Sequence, residues 1–231
     1  MAAFWAAKEV GADGIEFDVQ RSADGELVVI HDYSVDRTTD GTGLVSELTA
    51  EEIARLDAGS WFSSAFSGAK VPRLSEVLGL DSLEFEVEIK CFDRDGMLAV
   101  LDAVRRAGAL ARAEFTSWNT PMLMALKDEC PSARIGMFSR RRETWMADPV
   151  FEQTIVGGAA FTTADVVHVY AGDITPSIVD ALHAQGREVH ANDAATVGDL
   201  ERALQAGADR TSTSHPEMAL RCLRPGSASQ G

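Results

Sequence analysis

Cysteine is scarce in this sequence: three among 231 residues, at Cys91, Cys130 and Cys222. They lie far apart without paired spacing, which argues against a disulfide scaffold or a zinc knuckle and fits a reducing, cytoplasmic setting. Basic residues are also few. Lys+Arg 21 against Asp+Glu 36 leaves a net charge of −15. A general nucleic-acid binder needs a basic face for its phosphate contacts, so no nucleic-acid partner is expected. The same balance gives no reason to expect binding to anionic membranes. No apolar run reaches the roughly 18 residues of a spanning helix, so no stable membrane insertion is expected either, and no signal-peptide pattern opens the sequence. What is present is ordinary for a globular chain. Hydrophobic residues make up 45% and charged residues 25%, enough for a sizeable core in one large domain or two small ones.

Strand-like and helix-like stretches alternate for most of the length. Short β-rich runs fall at 14–20, 83–90, 113–118, 134–138, 165–170, 187–191 and 209–213, with helix-period segments at 97–107, 121–129, 176–185 and 197–205 between the later ones. Such alternation predicts an α/β fold of repeated βα units with a parallel sheet. Two of the expected αβ loops share one construction, Gly11-Ala12-Asp13 and Gly207-Ala208-Asp209, where glycine just past a helix accepts positive φ. The count is seven parallel strands, one short of a closed (β/α)₈ barrel. Residues 33–73 interrupt the rhythm as a long insert carrying Trp61, Phe62 and Phe66 and one short helix. Thr49 is that helix's expected N-cap, with Glu52 closing a capping box. Loops of this length are usually lids or binding loops. The expected division is a barrel over 1–216, with 33–73 as its insert, followed by a C-terminal end over 217–231. The last eight residues, Arg224-Pro-Gly-Ser-Ala-Ser-Gln-Gly231, have the composition of a disordered tail.

Two strands carry an unusual alternation. Ile15, Phe17 and Val19 point one way while Glu16, Asp18 and Gln20 point the other, because side chains along a strand alternate with period two. Leu83, Phe85, Val87 and Ile89 likewise oppose Glu84, Glu86, Glu88 and Lys90. A half-exposed antiparallel sheet would show the same pattern. In a βα barrel the apolar face must meet the helices, and the carboxylates then line the lumen, where they repel unless a cation neutralises them. All-oxygen ligation suits Mg²⁺ or Ca²⁺ rather than zinc. Asp24-Gly25 separates the first of these strands from 27–31 and is a hairpin signal. A two-residue turn there sets His31 directly opposite Asp18, within cross-strand reach and beside two carboxylates, a place suited to proton transfer.

At these residues the sequence resembles a known family. Gly11-Ala-Asp-Gly-Ile-Glu-Phe-Asp-Val-Gln20, Asp24-Gly25, Val28-Val-Ile-His-Asp32 and Arg37-Thr-Thr-Asp-Gly-Thr-Gly43 are similar to the glycerophosphodiester phosphodiesterases, and Leu56-Asp-Ala-Gly-Ser-Trp-Phe62, Val71-Pro-Arg-Leu-Ser-Glu-Val-Leu78 and Val87-Glu-Ile-Lys90 follow in the family's order and spacing. The resemblance is dense over 1–90 and looser to Pro216. It implies a TIM-type (β/α)₈ barrel with the hairpin and insert above its carboxyl-end face. It further implies a divalent metal, Mg²⁺ or Ca²⁺, on Glu16, Asp18 and Glu88, with His31 as one of two acid/base histidines and Lys90 facing the substrate phosphate. The reaction implied is hydrolysis of a small-molecule glycerophosphodiester to glycerol 3-phosphate and an alcohol, by attack of the neighbouring glycerol hydroxyl and opening of a cyclic phosphate by water.

Two departures from the family pattern bear on that transfer. The His-Arg-Gly strand and Glu-Asn-Thr segment that open the family are absent, and with them one acid/base histidine, a phosphate-facing arginine and the first barrel strand. This leads to the expectation that the sequence begins after that strand and that an extended chain would be more active. The late strand reads Val189-His-Ala-Asn-Asp193 where the family often has a Trp-Thr-Val-Asn-like run. Asn192 could line the pocket mouth there, or belong with His190 and Asp193 to a satisfied strand-end cluster. Trp61 could cover a choline-like group by cation–π contact, or pack the insert. Arg140-Arg141-Arg142 could steer an anionic substrate or form salt bridges. His168, His183 and His215 have no suggestive spacing. The alternatives to the hydrolase are an impaired or non-catalytic phosphate-binding barrel and a lipid phosphodiesterase of the phospholipase type.

Overall fold

The computed structural model describes residues Met1–Leu223; the tail expected at 224–231 lies outside them. Two compact units divide between Phe115 and Thr116. The first contains α1 (Ala2–Glu9), β1 (Gly14–Arg21), β2 (Leu27–Val29), α2 (Ala50–Arg55), α3 (Leu74–Leu78), β3 (Glu84–Ile89) and α4 (Arg94–Arg106), and β4 (Ala113–Ser117) stands at the division. The second contains α5 (Thr120–Glu129), β5 (Arg134–Phe138), α6 (Asp148–Thr162), β6 (Val166–Tyr170), α7 (Pro176–His183), β7 (Glu188–Asn192), α8 (Val197–Ala206), β8 (Arg210–Thr211) and α9 (Pro216–Leu223). All seven strands expected from period and composition are present, as an α/β succession, and among the described residues no strand precedes β1.

In the first unit, β1 pairs with β3 in parallel and with β2 antiparallel. The apolar sides of β1 and β3 build the core. Phe17 and Phe85 are buried, with ring centroids 5.8 Å apart in an edge-to-face contact. The Arg112 guanidinium lies 4.2 Å from the Phe85 centroid and donates to the carbonyls of Leu80 and Leu83, closing the approach to β3. Helix α4 starts on Asp93, which accepts from the Gly96 amide, and buries Met97, Val100, Leu101 and Val104, one face at helical spacing. The insert has a small core of its own, where Val35, Val45, Ile53 and Val71 pack with Val28 and Ile30. Its helix α2 carries the expected capping box, Thr49 accepting from the Glu52 amide and Glu52 from the Thr49 amide.

In the second unit, β5 to β8 pair in parallel in chain order. Ile155, Val167, Val169, Leu182, Val189 and Leu200 are among the residues that fill the layer between strands and helices. The αβ loops end as expected, Gly207 at φ 84° and, in the first unit, Gly11 at φ 89°. Pro216–Leu223 forms α9 where the sequence had placed the beginning of the C-terminal end.

One expectation is corrected. The hairpin of β1 and β2 has a three-residue loop, not a two-residue one. Val19 pairs with Val29 and Gln20 with Val28, and the Ser22 amide donates to the Glu26 carbonyl. The Gly25 amide closes a turn onto the Ser22 carbonyl with Gly25 at φ 90°, the turn-plus-bulge form of hairpin. The Ser22 hydroxyl also bonds Asp24, the Glu26 amide and the Glu26 carbonyl. These side-chain bonds settle the loop length, and the register slips by one residue. Asp18 therefore faces Ile30, whose amide donates to the Asp18 carbonyl at 3.1 Å, and His31 does not stand opposite Asp18.

Candidate active site

The parallel register of β1 and β3 sets Asp18 alongside Glu88 and Glu16 alongside Glu86, all on the polar side of the pair. One carboxylate oxygen from each of Glu16, Asp18 and Glu88 lies within 4.8 Å of the others. Glu86, on the same face, was not singled out from sequence, where nothing set it apart from its alternating neighbours. Lys90, one step past β3, brings its ammonium to 2.7 Å from Asp18 Oδ1 and 4.0 Å from Glu88 Oε1. It also donates to the His31 carbonyl at 2.9 Å. Desolvation of its carboxylate, then the repulsion of Asp18, Glu86 and Glu88, pushes Glu16 well above the usual carboxylate range, with Lys90 opposing. Glu16 keeps exposed surface, so repulsion is the cause that persists when water enters. The donors that Glu16, Asp18 and Glu88 bring together are all hard oxygens.

His31 follows β2 with an exposed ring. Its Nδ1 lies 2.7 Å from Asp32 Oδ1, and Arg37 donates to both oxygens of Asp32. That bidentate pairing with Arg37, and next the bond to His31, holds the Asp32 carboxyl well below the usual range. Asp32 and Arg37 were part of the motif read from the sequence but carried no role there. Their five-residue spacing across a loop gave no sign of contact.

The remaining candidates separate. The Trp61 indole donates to the Ala58 carbonyl and is half exposed, with the Arg37 guanidinium 5.9 Å from its ring centroid. Asn192 belongs to the second unit, at the end of β7, and accepts from the Ser212 hydroxyl at 2.8 Å. Arg142 pairs with Asp148, the salt-bridging alternative at that residue, and its backbone amide donates to Asp173, while Arg141 stacks its guanidinium 3.4 Å from the Tyr170 centroid. Two of the histidines without suggestive spacing have partners. His183 bonds Asp209, and His168 lies beside His190 on the neighbouring strand, with ring centroids 4.4 Å apart. Register between β6 and β7 makes that pair, and register is invisible in local spacing.

His190 is buried, and burial, with the charges of His168, Arg210 and Arg134, pushes it well below the ordinary imidazole range. Folded His190 therefore stays neutral where the unfolded chain takes up a proton, below about pH 6.5. Its contribution to stability is present above that pH and is lost as pH falls through it. The unfolding free energy should drop less between pH 7.5 and 5.5 in His190→Gln than in the parent. Equal drops in denaturant titrations of the two would refute this.

With the geometry in place, the chain can be set beside known proteins. The model of the glycerophosphoryl diester phosphodiesterase family matches residues 1–218. The chain is 33% identical to a glycerophosphodiester phosphodiesterase of Caldanaerobacter subterraneus subsp. tengcongensis, over 98% of this chain and 92% of that one. Among solved structures, a glycerophosphodiester phosphodiesterase from Agrobacterium tumefaciens superposes with a TM-score of 0.79 at 29% identity, covering 94% of this chain and 91% of that one. An Oleispira antarctica phosphodiesterase, solved with the product sn-glycerol-3-phosphate, superposes at 0.84 and 21% identity, covering 96% and 89%. Likeness of this extent shows the fold to be the α/β, TIM-type barrel class, without that class's first strand among the described residues.

Proposed function

The chain belongs to the glycerophosphoryl diester phosphodiesterase family, and from that premise we propose that it holds a divalent metal, Mg²⁺ or Ca²⁺, on Glu16, Asp18 and Glu88 and hydrolyses glycerophosphodiesters to glycerol 3-phosphate and an alcohol. The observation that carries the reading is the carboxylate group itself. Three oxygens from adjacent strands converge within 4.8 Å, and Lys90 brings its ammonium to 2.7 Å from Asp18 and 4.0 Å from Glu88. The donor chemistry fits a hard divalent cation. When bound, such an ion supplies Lewis-acid stabilisation of charge on the phosphoryl oxygens.

The chain's own residues divide the rest of the work. Lys90, anchored on Asp18 and the His31 carbonyl, supplies a fixed positive charge toward the phosphate. His31 keeps an exposed ring whose Nδ1 is engaged by Asp32, and its imidazole takes a proton from the attacking hydroxyl and returns one to the leaving alkoxide. Trp61, with Arg37 near its face, is a secondary candidate for the pocket.

A single histidine within Met1–Phe115, His31, favours one further reading, a phosphate-binding site with little turnover. Purified chain incubated with glycerophosphocholine separates the two. Release of glycerol 3-phosphate that requires Mg²⁺ or Ca²⁺ and stops with chelator is the expected result. Product binding without turnover supports the second reading, and equal turnover in chelator sinks the metal assignment.

A further inference from the structure

The loop that carries His31 is held more tightly than its exposure suggests. Gln20, itself buried, turns its side-chain amide on three successive carbonyls, those of Ile30 at 3.0 Å, His31 at 3.3 Å and Asp32 at 2.6 Å. Lys90 adds a second donor on the His31 carbonyl. With the backbone of 30–32 pinned, the Asp32 carboxylate has a set direction. Its Oδ1 meets His31 Nδ1 at 2.7 Å, and Arg37 closes on the far side through Nε and Nη2, at 2.5 and 2.9 Å. Three side chains, Gln20, Lys90 and Arg37, therefore hold three carbonyls and one carboxylate, and that carboxylate touches the imidazole.

The chemical consequence follows from the donor inventory. An ionised carboxylate can only accept, so the ring nitrogen facing it must carry the proton, and in a neutral imidazole the other nitrogen then holds the lone pair. An exposed imidazole without such a partner samples both tautomers. We propose that Asp32 is a positioning residue that locks His31 in the Nδ1–H tautomer, Arg37 orienting the carboxylate and Gln20 the backbone, so that Nε2 is the nitrogen presented to the diester. This rests on the reading of His31 as the proton-transfer group and adds which nitrogen acts and what selects it. Arg37 has a second effect: it keeps Asp32 charged, and an uncharged Asp32 could not select the tautomer.

The test uses the full chain labelled with ¹⁵N-histidine, with long-range proton–nitrogen spectra at a pH where His31 is neutral and the His31 signals assigned by their loss in His31→Ala. The parent should show the Nδ1–H pattern, and Asp32→Asn should lose it. In the same variant kcat should fall by at least about tenfold, since an asparagine in this role favours the wrong tautomer, while KM and a Mg²⁺ titration stay near the parent's. Asp32→Glu, which keeps the acceptor, should retain the pattern and recover part of kcat. A parent spectrum with the proton on Nε2 would overturn the proposal on its own, without any variant having to fold. So would an Asp32→Asn protein whose tautomer is unchanged, or one that loses metal affinity and kcat together. Failure of the underlying reading looks different: His31→Ala would then turn over as fast as the parent, whatever the tautomer.

Discussion

Glu16→Gln should abolish metal-dependent turnover while leaving the fold in place. Glutamine preserves the shape of the side chain and one carbonyl acceptor, so it removes little except the charge. Glu16 is one of three carboxylates whose oxygens converge within 4.8 Å on adjacent strands, and losing one anionic donor of three weakens a hard-cation site directly. If the ion supplies several kcal/mol of transition-state stabilisation, its loss corresponds to a rate reduction of more than about 10²-fold. The fold has no reason to suffer. In the metal-free protein Glu16 is repelled by Asp18, Glu86 and Glu88, and neutralising it relieves that repulsion. Thermal unfolding separates the two effects. The parent should gain stability with added Mg²⁺ or Ca²⁺, as any native-state ligand requires. The variant should melt no lower than the metal-free parent and gain nothing. An unchanged metal titration in Glu16→Gln would remove this residue from the site, and with it the case for a three-carboxylate centre.

His31→Ala should lower kcat by about 10²–10⁴-fold, the usual worth of a general acid or base, with metal affinity nearly kept. The argument is one of distance and of what each nitrogen touches. His31 Nδ1 is engaged by Asp32 at 2.7 Å, the ring is exposed, and the residue is tied to the carboxylate group through its backbone carbonyl and Lys90. Nothing in that arrangement makes it a ligand. A fall in kcat with unchanged KM would mark an interaction made only in the transition state. Loss of metal binding along with the histidine would instead make it a ligand, and the division of roles would be wrong.

Where the sequence could be read and where it could not follows a physical line. Period-two alternation identified β1 and β3 and the side of each that carries Glu16, Asp18, Glu88 and Lys90, because strand geometry is a property of successive residues. The cap at Thr49 with Glu52 was legible for the same reason: both partners lie within one helical turn. Helix α6 went unread. Its run from Gln153 to Ala164 has no charged residue and includes Gly157-Gly158, so it shows no polar face to set a 3.6-residue period, and neighbouring elements rather than patterning stabilise it. The hairpin failed by one residue. Asp24-Gly25 suits either a two-residue or a three-residue loop, and the choice fell to the Ser22 hydroxyl and its bonds to Asp24 and Glu26.

That single slip shows what the linear pattern could not contain. It carried the strand faces, the helix cap and the family landmarks, each governed by residues within a few positions of one another. It did not carry which carboxylates are neighbours or what the His31 ring touches. Asp18 stands beside Glu88 because two strands about seventy residues apart pair in one register. His31 answers to Asp32, not Asp18, because a buried glutamine and a distant lysine pin the backbone between them. Such contacts are chosen by packing and hydrogen-bond satisfaction across the whole unit, where shifting one pair by a single residue turns every side chain to the opposite face.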